Sequence, residues 1–115
     1  MKFVLLFVGT PEDQDRWDSL RPDEYQAAMA AAGGWFHEYT HAGKIVGGEQ
    51  LQGPKTVRTV RRENGQRIVT DGPFIESKEI IGGFAVVDVK DLDEALDMAK
   101  SWPAGPVEVW PAVER

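Results

Sequence analysis

Two stretches of this chain are apolar on both faces of a strand, and that limits the folds open to it. In residues 2–8, Phe3, Leu5 and Phe7 alternate with Val4, Leu6 and Val8, so neither face is polar. Residues 80–89 repeat the pattern with Ile80, Ile81, Phe84, Val86, Val87 and Val89. A strand of this composition is buried on both faces. Two helices accompany the strands. Residues 22–42 open on Pro22 with Asp23 and Glu24 in the first turn, and carry Tyr25, Met29, Ala32, Phe36 and Tyr39 at helical spacing. Gly33-Gly34 weakens this helix by about 1 kcal/mol per glycine relative to alanine, and Gly43 ends it. The second helix follows Asp91, with Glu94 three residues on as in a capping box. It is expected to bury Leu92, Ala95, Leu96, Ala99 and Trp102 before Pro103 stops it.

Residues 9–21 are polar and read as a connecting loop. Residues 44–51 form a short strand broken by Gly47-Gly48. Residues 56–62 and 66–70 flank Asn64-Gly65, the dipeptide favoured in a type I′ hairpin turn. Asp71-Gly72-Pro73 is a turn. Residues 107–113 alternate and contain Pro111, which cannot donate a ladder hydrogen bond and so belongs to an edge strand. The order β-α-β-hairpin-β-α-β predicts an α+β, ferredoxin-like antiparallel sheet with an extra hairpin, in a single domain spanning residues 1–115. Two helices cover only one face of such a sheet. The second face of the central pair requires another cover, and a second copy of the chain packed across a two-fold supplies it. A homodimer is therefore expected.

The absence of cysteine excludes a disulfide scaffold, a zinc–cysteine site and a thiol nucleophile, and fits cytoplasmic residence. The apolar run at residues 3–8 is too short to span a membrane and meets no small-residue cleavage site. A net charge of −6 argues against general nucleic-acid binding. Lys55, Arg58, Arg61, Arg62 and Arg67 are a local exception. They read either as charges that keep a solvated hairpin from pairing edge to edge, or as a docking site for an acidic ligand or partner.

The segment Asp71-Gly72-Pro73-Phe74-Ile75-Glu76-Ser77-Lys78-Glu79, followed by Gly82-Gly83-Phe84, resembles the signature of the DGPF branch of the YCII-related family. Gly47-Gly48-Glu49-Gln50-Leu51, Asp91-Leu92-Asp93-Glu94-Ala95 and Val107-Glu108-Val109 agree with it, so the resemblance covers nearly the whole chain. It implies the dimeric α/β-barrel superfamily, which includes small monooxygenases, lactone isomerases and ligand-binding regulatory domains. The DGPF branch has no agreed activity. Fusion of some relatives to sigma-factor domains implies an alternative, a non-catalytic regulatory or partner-binding domain linked to transcription. Shorter relatives carry a histidine on the first helix together with an aspartate. Here the comparable part is the alanine-rich run around Ala30, Ala31 and Ala32, so that role does not carry over.

His37-Glu38-Tyr39-Thr40-His41 matches H-E-x-x-H, the spacing by which two histidines one turn apart share a zinc ion. At 100° per residue both histidines point away from the apolar stripe, the sequence holds no third histidine, and no metal is expected. Asp71 is the candidate catalytic carboxylate: either it only shapes its turn, or apolar neighbours such as Phe74 raise its pKa for proton transfer. Glu49 is a second candidate, able to pair with Asp71 or with a hairpin arginine. Phe74, Lys78, Glu76 and Trp17 are candidate substrate contacts: Phe74 as a pocket wall, Lys78 to orient a carboxylate or steady a developing enolate, Trp17 as a lid from the loop after the first strand. Gly82-Gly83 in a central strand marks a close approach to the backbone. Phosphate-binding loop, nucleophile elbow and dinucleotide fingerprint are all missing. The expected function is binding of a small organic molecule, with cofactor-free acid–base catalysis of the isomerase or lyase kind.

Overall fold

The computed structural model describes residues 1–73 and 80–115. A four-stranded antiparallel sheet is built from β1 (Lys2–Gly9), β2 (Ile45–Gln50), β5 (Ile80–Asp88) and β6 (Val107–Pro111), in the order β2-β5-β1-β6. The two strands apolar on both faces are thus the central pair, and the strand containing Pro111 is an edge. With α2 (Pro22–His41) after β1 and α3 (Leu92–Lys100) after β5, the arrangement is ferredoxin-like. Strands β3 (Arg58–Glu63) and β4 (Gln66–Asp71) form a separate two-stranded sheet, turned at Asn64 (φ +50°) and Gly65 (φ +77°). Among the described residues no helix is long and apolar enough to cross a membrane.

Residues 9–21 are not the loop expected. Thr10 caps a further helix, α1 (Pro11–Asp18): its hydroxyl accepts from the Asp13 N–H, while the Asp13 carboxylate accepts from the Thr10 N–H at 2.8 Å. Proline at its start and acids in the first turn complete a strong start signal. The signal lies in capping rather than periodicity, because Trp17 is the helix's one large apolar residue. At the other strand ends the differences are small. The last strand closes at Pro111, and β5 stops at Asp88 while Val89 remains buried, its N–H on the Met1 carbonyl.

The core lies between the helices and one sheet face, where Phe3, Leu5, Phe7, Ala85 and Val87 meet Trp35 of α2 and Ala95 and Met98 of α3. Of the stripe expected for α2, Phe36 and Tyr39 pack against the core, but its buried anchor is Trp35, 5% exposed, whereas Tyr25 is 41% exposed. Tyr25 instead packs on Trp17 of α1, with ring centroids 5.3 Å apart. On α3, Met98 is buried and Leu92 is exposed. The Trp35 indole N–H donates to the Ser101 hydroxyl at 2.9 Å, and that hydroxyl donates to the Met98 carbonyl at 2.7 Å. A hydroxyl has one proton, so the Tyr39 phenol, 3.1 Å away, is the donor in the remaining contact. Ser101 thereby ties α2 to the end of α3 with its capacity filled. The predicted capping box at α3 is half made. Asp91 accepts from the Glu94 N–H, but the Glu94 carboxylate takes the Lys90 N–H and the Lys44 ammonium, the latter at 3.1 Å.

Successive residues alternate faces, so the opposite sheet face is fixed by register. Val4 lies between Val86 and Trp110, and Leu6 between Phe84 and Glu108. Val4, Leu6, Phe84 and Val86 are half-buried there and Trp110 is 56% exposed, while α2 and α3 lie on the other side.

Trp35→Ala removes a buried aromatic and its hydrogen bond, and is expected to cost about 3–5 kcal/mol. Urea denaturation checks this; a loss below about 1 kcal/mol would show that Trp35 is not the anchor of α2.

Candidate functional site

The two halves of α2 reach the sheet to different depths. Its second half carries Trp35, Phe36 and Tyr39, which fill the space above β1. Its first half meets the cleft with Ala28, Met29, Ala31 and Ala32, and the alanine methyl groups stop short of the sheet. Below them β5 offers Gly82 and Gly83. The result is a half-open cleft of about 640 Å³, within the range of small-molecule pockets.

Phe7, Phe36 and Trp102 form the aromatic end of the cleft. The Phe7 and Trp102 rings lie 4.3 Å apart and Phe36 meets both nearly edge-on, so these walls are held by each other. Met29 and Ala32 line one side, and Trp17 with Asp13 and Asp18 of α1 lines another. Residues 48–53 and 102–105 complete the rim. Gly83 is required by the approach of β2, since a Cβ there would lie 2.9 Å from the Glu49 carbonyl oxygen. Gly48 has φ +145°, and a Cβ there would strike the Phe84 carbonyl oxygen. The close approach expected at Gly82-Gly83 is therefore made by the neighbouring strand.

Asp13 and Asp18 are brought to the cleft by α1, the helix that stands where the polar sequence suggests a loop. The Thr10 N–H, and after it the Arg16 guanidinium and the Thr10 hydroxyl, hold the Asp13 carboxyl below the usual aspartate range. Asp18 accepts a hydrogen bond from the Gln14 side-chain amide at 3.0 Å. Among the described residues, no lysine, arginine or histidine lines the cleft.

The sequence-derived candidates are dispersed. Trp17 lines the cleft, but from a helix rather than a loop. Glu49 stands at the rim, and its pairing opposite Phe84 puts its side chain on the open sheet face. Asp71 ends β4 outside the cleft wall, 88% exposed, with its carboxylate 3.1 Å from Arg58 Nε. That ion pair joins Asp71 to a hairpin arginine, and Glu49 makes no ion pair among the described residues. The described residues do not surround Asp71 with apolar groups. Phe74, Glu76 and Lys78 lie outside the described residues. His37 and His41 are exposed, as their helical positions predicted, with rings stacked 6.0 Å apart. Among the described residues no group of three or more histidine, aspartate or glutamate side chains is placed to hold a metal ion.

A lowered folded-state pKa at Asp13 means that the unfolded chain binds the proton more readily. Its contribution to stability is complete above the ordinary aspartate range and is lost as pH falls through the lowered folded value. Asp13→Asn is therefore expected to give a shallower acid limb in thermal melts run from neutral to low pH; an unchanged limb would deny the carboxylate this role.

Comparison with known proteins bears on the whole chain. The family model of the YCII-related domain matches residues 1–114. The uncharacterized protein R00369 of Rhizobium meliloti (strain 1021) is 43% identical over 100 residues, which cover 87% of this chain and 78% of that protein. With an antiparallel ferredoxin-like sheet and a family match that runs from end to end, the chain belongs to the YCII-related domain family.

Proposed function

We propose that this protein is a small-molecule-binding domain of the DGPF branch, working as a homodimer, and that its ligand is a flat, largely apolar organic molecule held in the helix–sheet cleft. One observation carries the reading: the cleft is walled by mutually packed rings at one end and kept open by alanines and glycines at the other. A ring slid between Trp17 and the Phe36–Trp102 wall exchanges water for aromatic contact, which favours planar ligands. Asp13 and Asp18 add hydrogen-bond acceptors at the α1 side, suited to a ligand bearing hydroxyl or amine donors.

The dimer rests on the open sheet face. Val4, Leu6, Phe84 and Val86 form a continuous apolar patch with Trp110 at its edge, the kind of surface that a two-fold packing of sheets buries. Acid–base catalysis belongs to the same proposal only as far as a carboxylate reaches the ligand: the Glu49 side chain lies on the opposite sheet face and Asp71 outside the cleft, which leaves Asp13 and Asp18 of α1.

A thermal-shift screen of small aromatic alcohols, amines and lactones is expected to give hits that bind wild type and fail with Ala32→Leu, which fills the cleft. Hits that bind the filled variant equally well would place binding elsewhere. If a hit is turned over, Asp18→Asn is expected to lower the rate by about 10²–10⁴ in a folded protein, the usual loss of a general base, and Glu49→Gln to leave it unchanged. Sedimentation equilibrium at micromolar concentration is expected to give a dimer that Leu6→Glu dissociates; a folded wild-type monomer would remove the dimer from the account.

A further inference from the structure

The β3–β4 hairpin stands apart from the sheet and presents two unequal faces. Pairing places Arg58, Val60 and Arg62 opposite Asp71, Val69 and Arg67 on one of them. Val60 and Val69 are 55% and 63% exposed there, and Arg62 sits directly across from Arg67, neither making an ion pair among the described residues. Like charges facing each other across a strand pair are unfavourable, and a lone two-stranded hairpin is marginal in water. The radius of gyration of 16.1 Å exceeds the ~13 Å of a compact chain this long, as a projecting arm requires. An arm with bare valines and opposed guanidiniums is shaped for something acidic to lie against it.

We infer that the arm reaches across the two-fold and docks on the acidic surface of the second copy, an inference that rests on the dimer proposed above. Charge complementarity selects that occupant. Residues 55–71 carry five cations against two acids, a charge of +3, so the rest of a chain of net charge −6 carries −9. In a two-fold assembly each basic arm meets an acidic body and the opposition of Arg62 and Arg67 is relieved by carboxylates from outside the hairpin. The two valines gain a cover in the same contact. Electrostatic docking of this kind weakens as salt rises.

The test is the dimer dissociation constant by sedimentation equilibrium, at low and high salt, for wild type and for Arg62→Glu/Arg67→Glu. The double reversal keeps like charge opposite like charge, so the hairpin's own stability is little altered, and circular dichroism melts check the fold. The variant is expected to dissociate at least tenfold more readily at low salt, with its dependence on salt reduced or reversed. Arg62→Gln/Arg67→Gln is expected to show a smaller loss in the same direction, and serves should the reversal impair folding. A variant dimer with wild-type affinity and salt response would overturn the arm while leaving the dimer standing. A wild-type monomer would overturn both. Binding of polyglutamate by wild type without any effect of the reversal on dimerisation would assign the arm to another acidic partner, against the inference.

Discussion

The Ser101 hydroxyl, with the Trp35 indole and Tyr39 phenol donating to it and the Met98 carbonyl accepting from it, sets the position of both long helices. It makes one end of the helix layer rigid, since a hydroxyl with its donor and acceptors engaged has no better arrangement to move to. Phe7 rises from β1 into the same cluster and touches Trp35, Phe36 and Trp102. Strand, long helix and the end of the second helix are thereby locked at one place. The rest of α2 extends away from that place and, Met29 apart, faces the cleft with alanines too small to close on the sheet. A cleft is the geometric remainder: large residues hold the helix at a fixed height, and alanines leave the space beneath it unfilled.

The sheet has two faces with different tasks. On the helix side, Phe3, Leu5 and Val87 are fully buried and supply the core. On the other, Val4, Leu6, Phe84 and Val86 are arranged in register but only half-buried. β-branched and aromatic residues on such a face carry a desolvation benefit that the isolated chain cannot collect. The Glu49 and Glu108 positions flank the row through Phe84 and Leu6, so the apolar patch is bounded by charge at both sheet edges. Charged margins around an apolar centre are the ordinary anatomy of a protein interface.

Much of the architecture was legible in the sequence because it follows from patterning. A strand apolar on both faces must be central, and a strand holding Pro111 must be an edge, whatever the rest of the chain does. The helix at Pro11–Asp18 was not legible by periodicity, since Trp17 alone cannot define a stripe; its Thr10–Asp13 box was the available signal. Trp35 was hidden by its neighbour Phe36, as two adjacent aromatics let the buried stripe be drawn through either. The cleft was least legible of all. It is produced by missing side chains, and an alanine-rich run with two glycines looks like a weak helix until the sheet beneath is seen. Asp71 illustrates the converse: turn chemistry identified its place at the root of the hairpin but not its exposure or its Arg58 partner.

The four tryptophans report separately on these parts, which makes the indole N–H region of a two-dimensional nitrogen–proton spectrum the most direct measurement. Trp17 and Trp102 line the cleft, Trp35 is bonded to Ser101 in the core, and Trp110 lies on the open sheet face. Titration with an aromatic alcohol or amine found by screening should move the Trp17 and Trp102 signals and leave Trp110 in place, whereas dilution through the dimer dissociation constant should move Trp110 and leave Trp17 in place. A ligand that shifts Trp110 while Trp17 and Trp102 stay fixed would contradict the central claim that the helix–sheet cleft is the binding site and the opposite face the dimer surface.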